Sequence, residues 1–143
     1  MMQISLFKAP KKYLFFAVLL PFSYCAFVLC YVWWQCYISA LQGGRNGQLD
    51  AYRHTLASAV VAYSSSAKVV GLVTTVMESK NKPPNLMDQH NNAIGAIIGK
   101  NAATFYEIKP AVMMLIMQGA VNTKKTTQIT WLPRQYWRES LLW

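Results

Sequence analysis

YLFFAVLLPFSYCAFVLCYVWWQCY, residues 13–37, contains no charged side chain. About twenty apolar residues in helical form cross the ~30 Å hydrocarbon core of a bilayer, so this run predicts a transmembrane helix with room for tilt. Pro21 removes one backbone donor, which membrane helices tolerate. Trp33, Trp34 and Tyr37 gather at one end, where aromatic rings favour the headgroup level. Lys8, Lys11 and Lys12 precede the run, and only Arg45 and Arg53 follow closely. The positive-inside rule therefore keeps the N-terminus cytoplasmic and exports the rest. A bacterial inner-membrane protein with a single pass is the expectation. The competing reading is a cleaved signal peptide, because Ile38-Ser39-Ala40 ends in a small residue. A signal's apolar core spans only ~7–15 residues. This run is longer, which favours an uncleaved anchor.

Composition agrees. Apolar residues make up 54% of the 143-residue chain and charged residues 13%, against the ~25% charged of ordinary soluble domains. Most of the apolar excess sits in the one run. The net charge is +9, from fourteen Lys/Arg against five Asp/Glu, a sign that suits anionic lipid or nucleic acid. The basic residues flank the apolar run and gather near the C-terminus. No zinc finger, RNA-binding aromatic motif or Lys/Arg-rich run is present. The lipid bilayer is thus the expected partner, with a protein of the envelope second and nucleic acid disfavoured. Cys25, Cys30 and Cys36 all fall inside the apolar run. An odd number of thiols there is no disulfide framework.

The expected fold class is mostly α, a single N-terminal transmembrane helix plus a small helical domain. Four segments follow: a basic cytoplasmic N-terminus at 1–12, the span at 13–37, a linker at 38–48 and a helical exported domain at 49–143. The linker holds Gly43-Gly44-Arg45-Asn46-Gly47, which reads as a flexible break. Leu49, Tyr52, Leu56, Ala59 or Val60, and Tyr63 then recur at helical spacing. Ser64-Ser65-Ser66 is a candidate interruption, and residues 67–78 form a second apolar pattern. Asn81-Lys82-Pro83-Pro84-Asn85 reads as a loop, because paired prolines cannot continue a helix. Asp88 is then a candidate cap for a third helix through residues 93–103. After Pro110, the run AVMMLIM is too short to span a bilayer and reads as a buried helix. The tail from 129 mixes Trp131, Tyr136, Trp137 and Trp143 with Arg134 and Arg138, which fits either docking on a bilayer or packing on the core.

Both histidines stand beside an aspartate. Asp50 and His54 are four apart, on one face of a helix, with Arg53 alongside. Asp88 and His90 follow the proline pair, with Asn91 and Asn92 next, and Glu78 comes just before it. A histidine oriented by a carboxylate serves as a general base, and a His/Asp/Glu set such as Glu78, His54 and His90 holds a divalent metal. Arg53, or amide hydrogens near Asn91 and Asn92, would stabilise an anionic intermediate. The structural alternative is plain: Asp50 as a carboxylate favoured by the helix dipole, and the His-Asn-Asn run tying down a loop.

The pairing of Asp50-Ala51-Tyr52-Arg53-His54 with Met87-Asp88-Gln89-His90-Asn91-Asn92-Ala93-Ile94-Gly95 resembles an uncharacterised bacterial domain family. Its pattern runs Asp-Ala-x-Arg-His, then Ala-His-Glu, then Met-Asp-x-His-Asn-Asn-x-x-Gly, and it occurs in exported and toxin-like proteins. The sequence departs at the middle element, where Met77-Glu78 stands in place of His-Glu. The resemblance implies one shared polar site without naming a substrate. The functional expectation is an envelope-facing hydrolase of a lipid or cell-wall bond, with His54 and His90 as bases or metal ligands and Asp50 and Asp88 orienting them. The alternative is a non-enzymatic membrane interaction protein, an accessory of secretion, conjugation or exclusion.

Overall fold

In a computed structural model, the chain is described over residues 11–65 and 83–139, with side chains from Phe22 in the first stretch and from Pro84 in the second. Those residues are mostly helical: α1 (Lys11–Ile38), α2 (Gln48–Ser64), α3 (Pro83–Asn101) and α4 (Phe105–Met117). Two short strands follow, β1 (Ala120–Val121) and β2 (Thr130–Trp131), paired in parallel with Ala120 opposite Thr130. A 3₁₀ turn at Arg134–Tyr136 completes the described part. The apolar pattern at 67–78, Glu78, and the tail residues Leu142 and Trp143 lie outside the described residues.

The core forms around α2. Leu49, Tyr52, Leu56, Ala59 and Val60 are buried, as the helical spacing predicts, whereas Tyr63 lies toward the surface. Ile108, Val112 and Ile116 of α4 are also buried, at steps of four that place them on one side of that helix. Fully burying an aliphatic side chain contributes ~1.5–3 kcal/mol, so this cluster is the main source of cohesion. α2 ends where Ser64 and Ser65 turn their hydroxyls onto the carbonyls of Val60 and Val61, at 2.7 Å each. Such hydroxyls compete with the helical ladder, which is why the serine run ends it.

α1 does not stop short of this domain. Val28, Val32 and Cys36, again four apart, are buried in the same core, while Phe22, Phe27, Leu29, Trp34 and Tyr37 stay exposed. Among the described residues no helix is long and apolar enough to cross a membrane.

α3 crosses α2 with almost no side-chain spacer. A methyl group on Gly95 would fall well inside contact with the Thr55 carbonyl, and one on Gly99 would do the same with the Ala59 carbonyl. Glycines four apart on α3 thus face residues four apart on α2, letting the backbones approach.

Several local expectations need correction. Pro83 and Pro84 open α3 rather than preceding it, because a proline in the first turn has no intrahelical N–H to lose. Asp88 consequently lies inside the helix and is not its cap. Pro110 falls within α4 instead of before it. The glycine stretch is a built turn: Arg45 pairs with Arg138 through two backbone hydrogen bonds, and Gly43 and Gly47 lie against each other and the Trp137 ring. Gly43 has φ +73°, which glycine adopts without strain. The tail packs on the core, with Ile129 and Trp131 buried and Trp137 donating from its indole to the Leu132 carbonyl at 2.6 Å.

Candidate metal centre

Asp50, Arg53 and His54 share one side of α2 because residues three and four apart stack. Asp50 lies in the first turn, where its Oδ2 accepts the N–H of Asn46 at 2.5 Å. Its Oδ1 pairs with Arg53 Nη2. Arg53 Nη1 donates to the Gly44 carbonyl at 3.1 Å, and the guanidinium sits 5.7 Å from the centre of the Trp33 ring. Asp50 and Arg53 are both buried. Removing Arg53 would leave the buried Asp50 carboxylate to His54 and the Asn46 N–H, and removing Asp50 would take from Arg53 its carboxylate partner. Arg53 is therefore a brace between the turn and the helix.

α3 brings Asp88 to the same place. His54 Nε2 lies 3.5 Å from Asp50 Oδ1 and 3.5 Å from Asp88 Oδ1. The His54 and Asp88 side chains keep 24% and 16% exposure, against 4% for Asp50. Solvent thus touches the outer edges of His54 and Asp88, while the Asp88 Oδ1 that faces His54 is itself buried. Burial alone would lower the pKa of His54, but the flanking carboxylates of Asp50 and Asp88 outweigh it and raise it above 6.5. Burial likewise pushes Asp50 up, while His54, Arg53 and the Asn46 N–H hold it below 3.8. The imidazole is held toward its charged form, a poor state for a general base but a natural one between two carboxylates.

One ligand atom from each of Asp50, His54 and Asp88 lies within 4.8 Å of the others, and the group could hold a metal ion. Two donors on a tetrahedral zinc at ~2.0–2.1 Å sit about 3.4 Å apart. Both 3.5 Å separations lie near that edge, and the third, between the two carboxylates, is within 4.8 Å.

The remaining expected site residues go elsewhere. His90, two positions beyond Asp88 and so on another side of α3, joins its Nε2 to the Gln128 carbonyl at 2.8 Å. It is not in the Asp50–His54–Asp88 group. Asn91 is fully buried and clamps the Thr130 peptide. Asn92 accepts the Ser58 hydroxyl at 2.7 Å, tying α3 to α2. Of the expected set of Glu78, His54 and His90, Glu78 lies outside the described residues, and the group that could hold a metal among the described ones is Asp50, His54 and Asp88. Sequence reasoning missed Gly99, Ser58 and the Gln128 carbonyl. Only the i, i+4 spacing of Gly95 and Gly99 carried a signal.

The profile of a family described as a domain of unknown function (DUF6973) matches residues 34–127. That span begins in α1 and takes in every residue of the Asp50–His54–Asp88 group. No curated protein and no solved structure matches the chain.

Proposed function

We propose, from the premise that this chain belongs to the DUF6973 family, that it is a membrane-tethered, envelope-facing hydrolase of a lipid or cell-wall bond, working through a divalent cation on Asp50, His54 and Asp88. The observation that carries this reading is His54 Nε2 standing 3.5 Å from a carboxylate oxygen on each of two helices. The imidazole in the set suits zinc, and the two carboxylates also suit manganese. The cation would polarise the scissile group and lower the pKa of a bound water. Asp50, locked by Arg53 and Asn46, fixes one ligand, and the more exposed His54 and Asp88 face the substrate side.

The tether is α1. Residues 13–37 carry no charge, and Phe22, Phe27 and Leu29 stay exposed on α1, an apolar surface that would rest on the bilayer. Its last turns pack on α2, which would hold the domain close to the bilayer.

One observation favours the non-enzymatic alternative. Arg53, Asn91 and Asn92 each make bonds internal to the fold, as expected if the motif serves architecture. An accessory role in secretion, conjugation or exclusion is then the second reading.

The test uses the full chain in proteoliposomes with zinc or manganese, offered a fluorogenic phospholipid or isolated peptidoglycan. Hydrolysis should fall roughly 100-fold or more in His54→Ala and Asp88→Asn, with circular dichroism still showing the folded helical protein. Turnover unchanged in both variants, or none on either substrate, would remove the enzyme and leave the interaction protein.

A further inference from the structure

The turn joining α1 to α2 makes hydrogen bonds on two sides. Toward α2, the Asn46 N–H meets Asp50 Oδ2 at 2.5 Å, and the Gly44 carbonyl takes the Arg53 guanidinium at 3.1 Å. Toward the tail, the Gly43 N–H donates to Glu139 Oε2 at 3.2 Å. The Arg45 N–H donates to the Arg138 carbonyl at 3.0 Å, and the Arg45 carbonyl accepts the Arg138 N–H at 3.2 Å. The Asn46 carbonyl accepts the Leu132 N–H, and the Asn46 side-chain amide donates to the Tyr136 carbonyl, each at 2.9 Å. The Trp137 ring closes this face: a methyl group on Gly43 or Gly47 would overlap it.

One peptide unit belongs to both sides. The carbonyl of Arg45 and the N–H of Asn46 share a plane and, in a trans peptide, point in opposite directions. The Arg138 N–H holds the carbonyl end. The other end is thereby aimed at Asp50 Oδ2. With Oδ2 held, the carboxylate is fixed in rotation, and Oδ1 stays 3.5 Å from His54 Nε2. A swing of that peptide would turn the carboxylate away from the place a metal needs it. A constellation of ligands works only when held within about 0.5 Å of its proper geometry.

We propose, given the metal reading of Asp50, His54 and Asp88, that Arg138 and Trp137 are positioning residues of that centre. Arg138 acts through its backbone N–H, which aims the Arg45–Asn46 peptide at Asp50. Trp137 acts through its ring, which seats the turn on the tail. The stretch from Leu132 to Glu139 is thus an outer support of the metal site as well as a cover for the core. Losing a support of this kind typically lowers metal affinity ~10–100-fold.

The probe is Co²⁺, which absorbs visible light when bound, whereas zinc with its filled d shell does not. The full chain in nanodiscs is titrated with Co²⁺, and the band that His54→Ala abolishes reports the site. Arg138→Pro removes the N–H that holds Arg45 and should weaken cobalt binding about tenfold or more. Arg138→Ala keeps that N–H and should bind as the wild type does. Trp137→Ala should also lose about tenfold or more, while Trp137→Phe, with a ring still over the glycines, should fall closer to the wild type. Ile116→Val, a truncation in the buried core of α4, should leave the affinity unchanged. Circular dichroism checks that each variant is folded; if Arg138→Pro is not, the two Trp137 variants decide. The positioning role is overturned if cobalt binds Arg138→Pro and Trp137→Ala as tightly as the wild type, or if Arg138→Ala or Ile116→Val loses as much. A wild type without the band overturns the metal centre itself, and this role with it.

Discussion

The side-chain amide of Asn91 closes a two-bond ring with the peptide of Thr130: Nδ2 donates to the Thr130 carbonyl at 2.8 Å, and Oδ1 accepts the Thr130 N–H at 2.9 Å. Asn91 on α3 thereby does for β2 what a neighbouring strand would do, and it does so out of contact with water. A buried peptide must have partners. On one edge of this short strand, a single side chain supplies them.

Asn91→Ala would leave a buried N–H and a buried C=O unsatisfied, at about 1–3 kcal/mol each. Urea unfolding should show a loss of about 2–4 kcal/mol. A loss below about 0.5 kcal/mol would mean that water replaces the amide and that the clamp is not structural.

Gly95→Ala and Gly99→Ala should each destabilise by about 1–3 kcal/mol, because the added methyl meets backbone carbonyls of α2 rather than a movable side chain. Ile97→Ala, on the exposed side of α3, should stay within about 0.5 kcal/mol. Thermal melts of the three variants separate the cases; similar values for all would refute the close crossing.

The charge pattern around His54 sets a pH dependence. Its folded pKa is raised above 6.5, so its contribution is fully present below pH 6.5 and is lost as pH rises through the folded value. Asp50 is lowered below 3.8, so its contribution is present above 3.8 and is lost as pH falls through its folded value. The stability gap between wild type and His54→Gln should therefore be widest between those limits and narrow on the alkaline side. A gap that widens above pH 7 would contradict the carboxylate surroundings.

A ligand that binds only the folded state stabilises it by mass action, about 2.7 kcal/mol at a hundred times Kd. Zinc should raise the melting temperature of the wild type, and Asp88→Asn should abolish that rise. An equal rise in both proteins would place any zinc outside the Asp50–His54–Asp88 group.

Trp137→Ala should loosen the turn at residues 43–47, since the indole covers Gly43 and Gly47 and anchors to Leu132. A loss of about 2 kcal/mol is expected for this half-buried ring. Hydrogen exchange at Arg45 N–H, paired with Arg138, should accelerate with it.

Much of this was legible in one dimension. The stripe from Leu49 to Val60 announced α2 and its buried side, because helical periodicity is a local property. The same rule put Asp50, Arg53 and His54 together. Helix starts were less legible: Pro83 and Pro84 looked like a stop, yet proline both breaks a helix from within and suits its first turn, and composition does not distinguish the two. That ambiguity also made Asp88 look like a cap.

By itself, then, the order of residues determined the mostly helical character, the charge-free run at 13–37, and the local Asp50–His54 pair, since each depends on neighbours a few positions apart. Only the tertiary structure decided which of the two later polar residues joined that pair. Asp88 and His90 are two apart on one helix, about 200° around its axis, so α3 cannot offer both to the same place. The glycine-mediated approach to α2 set the rotation that sends Asp88 to His54 and His90 to the Gln128 carbonyl.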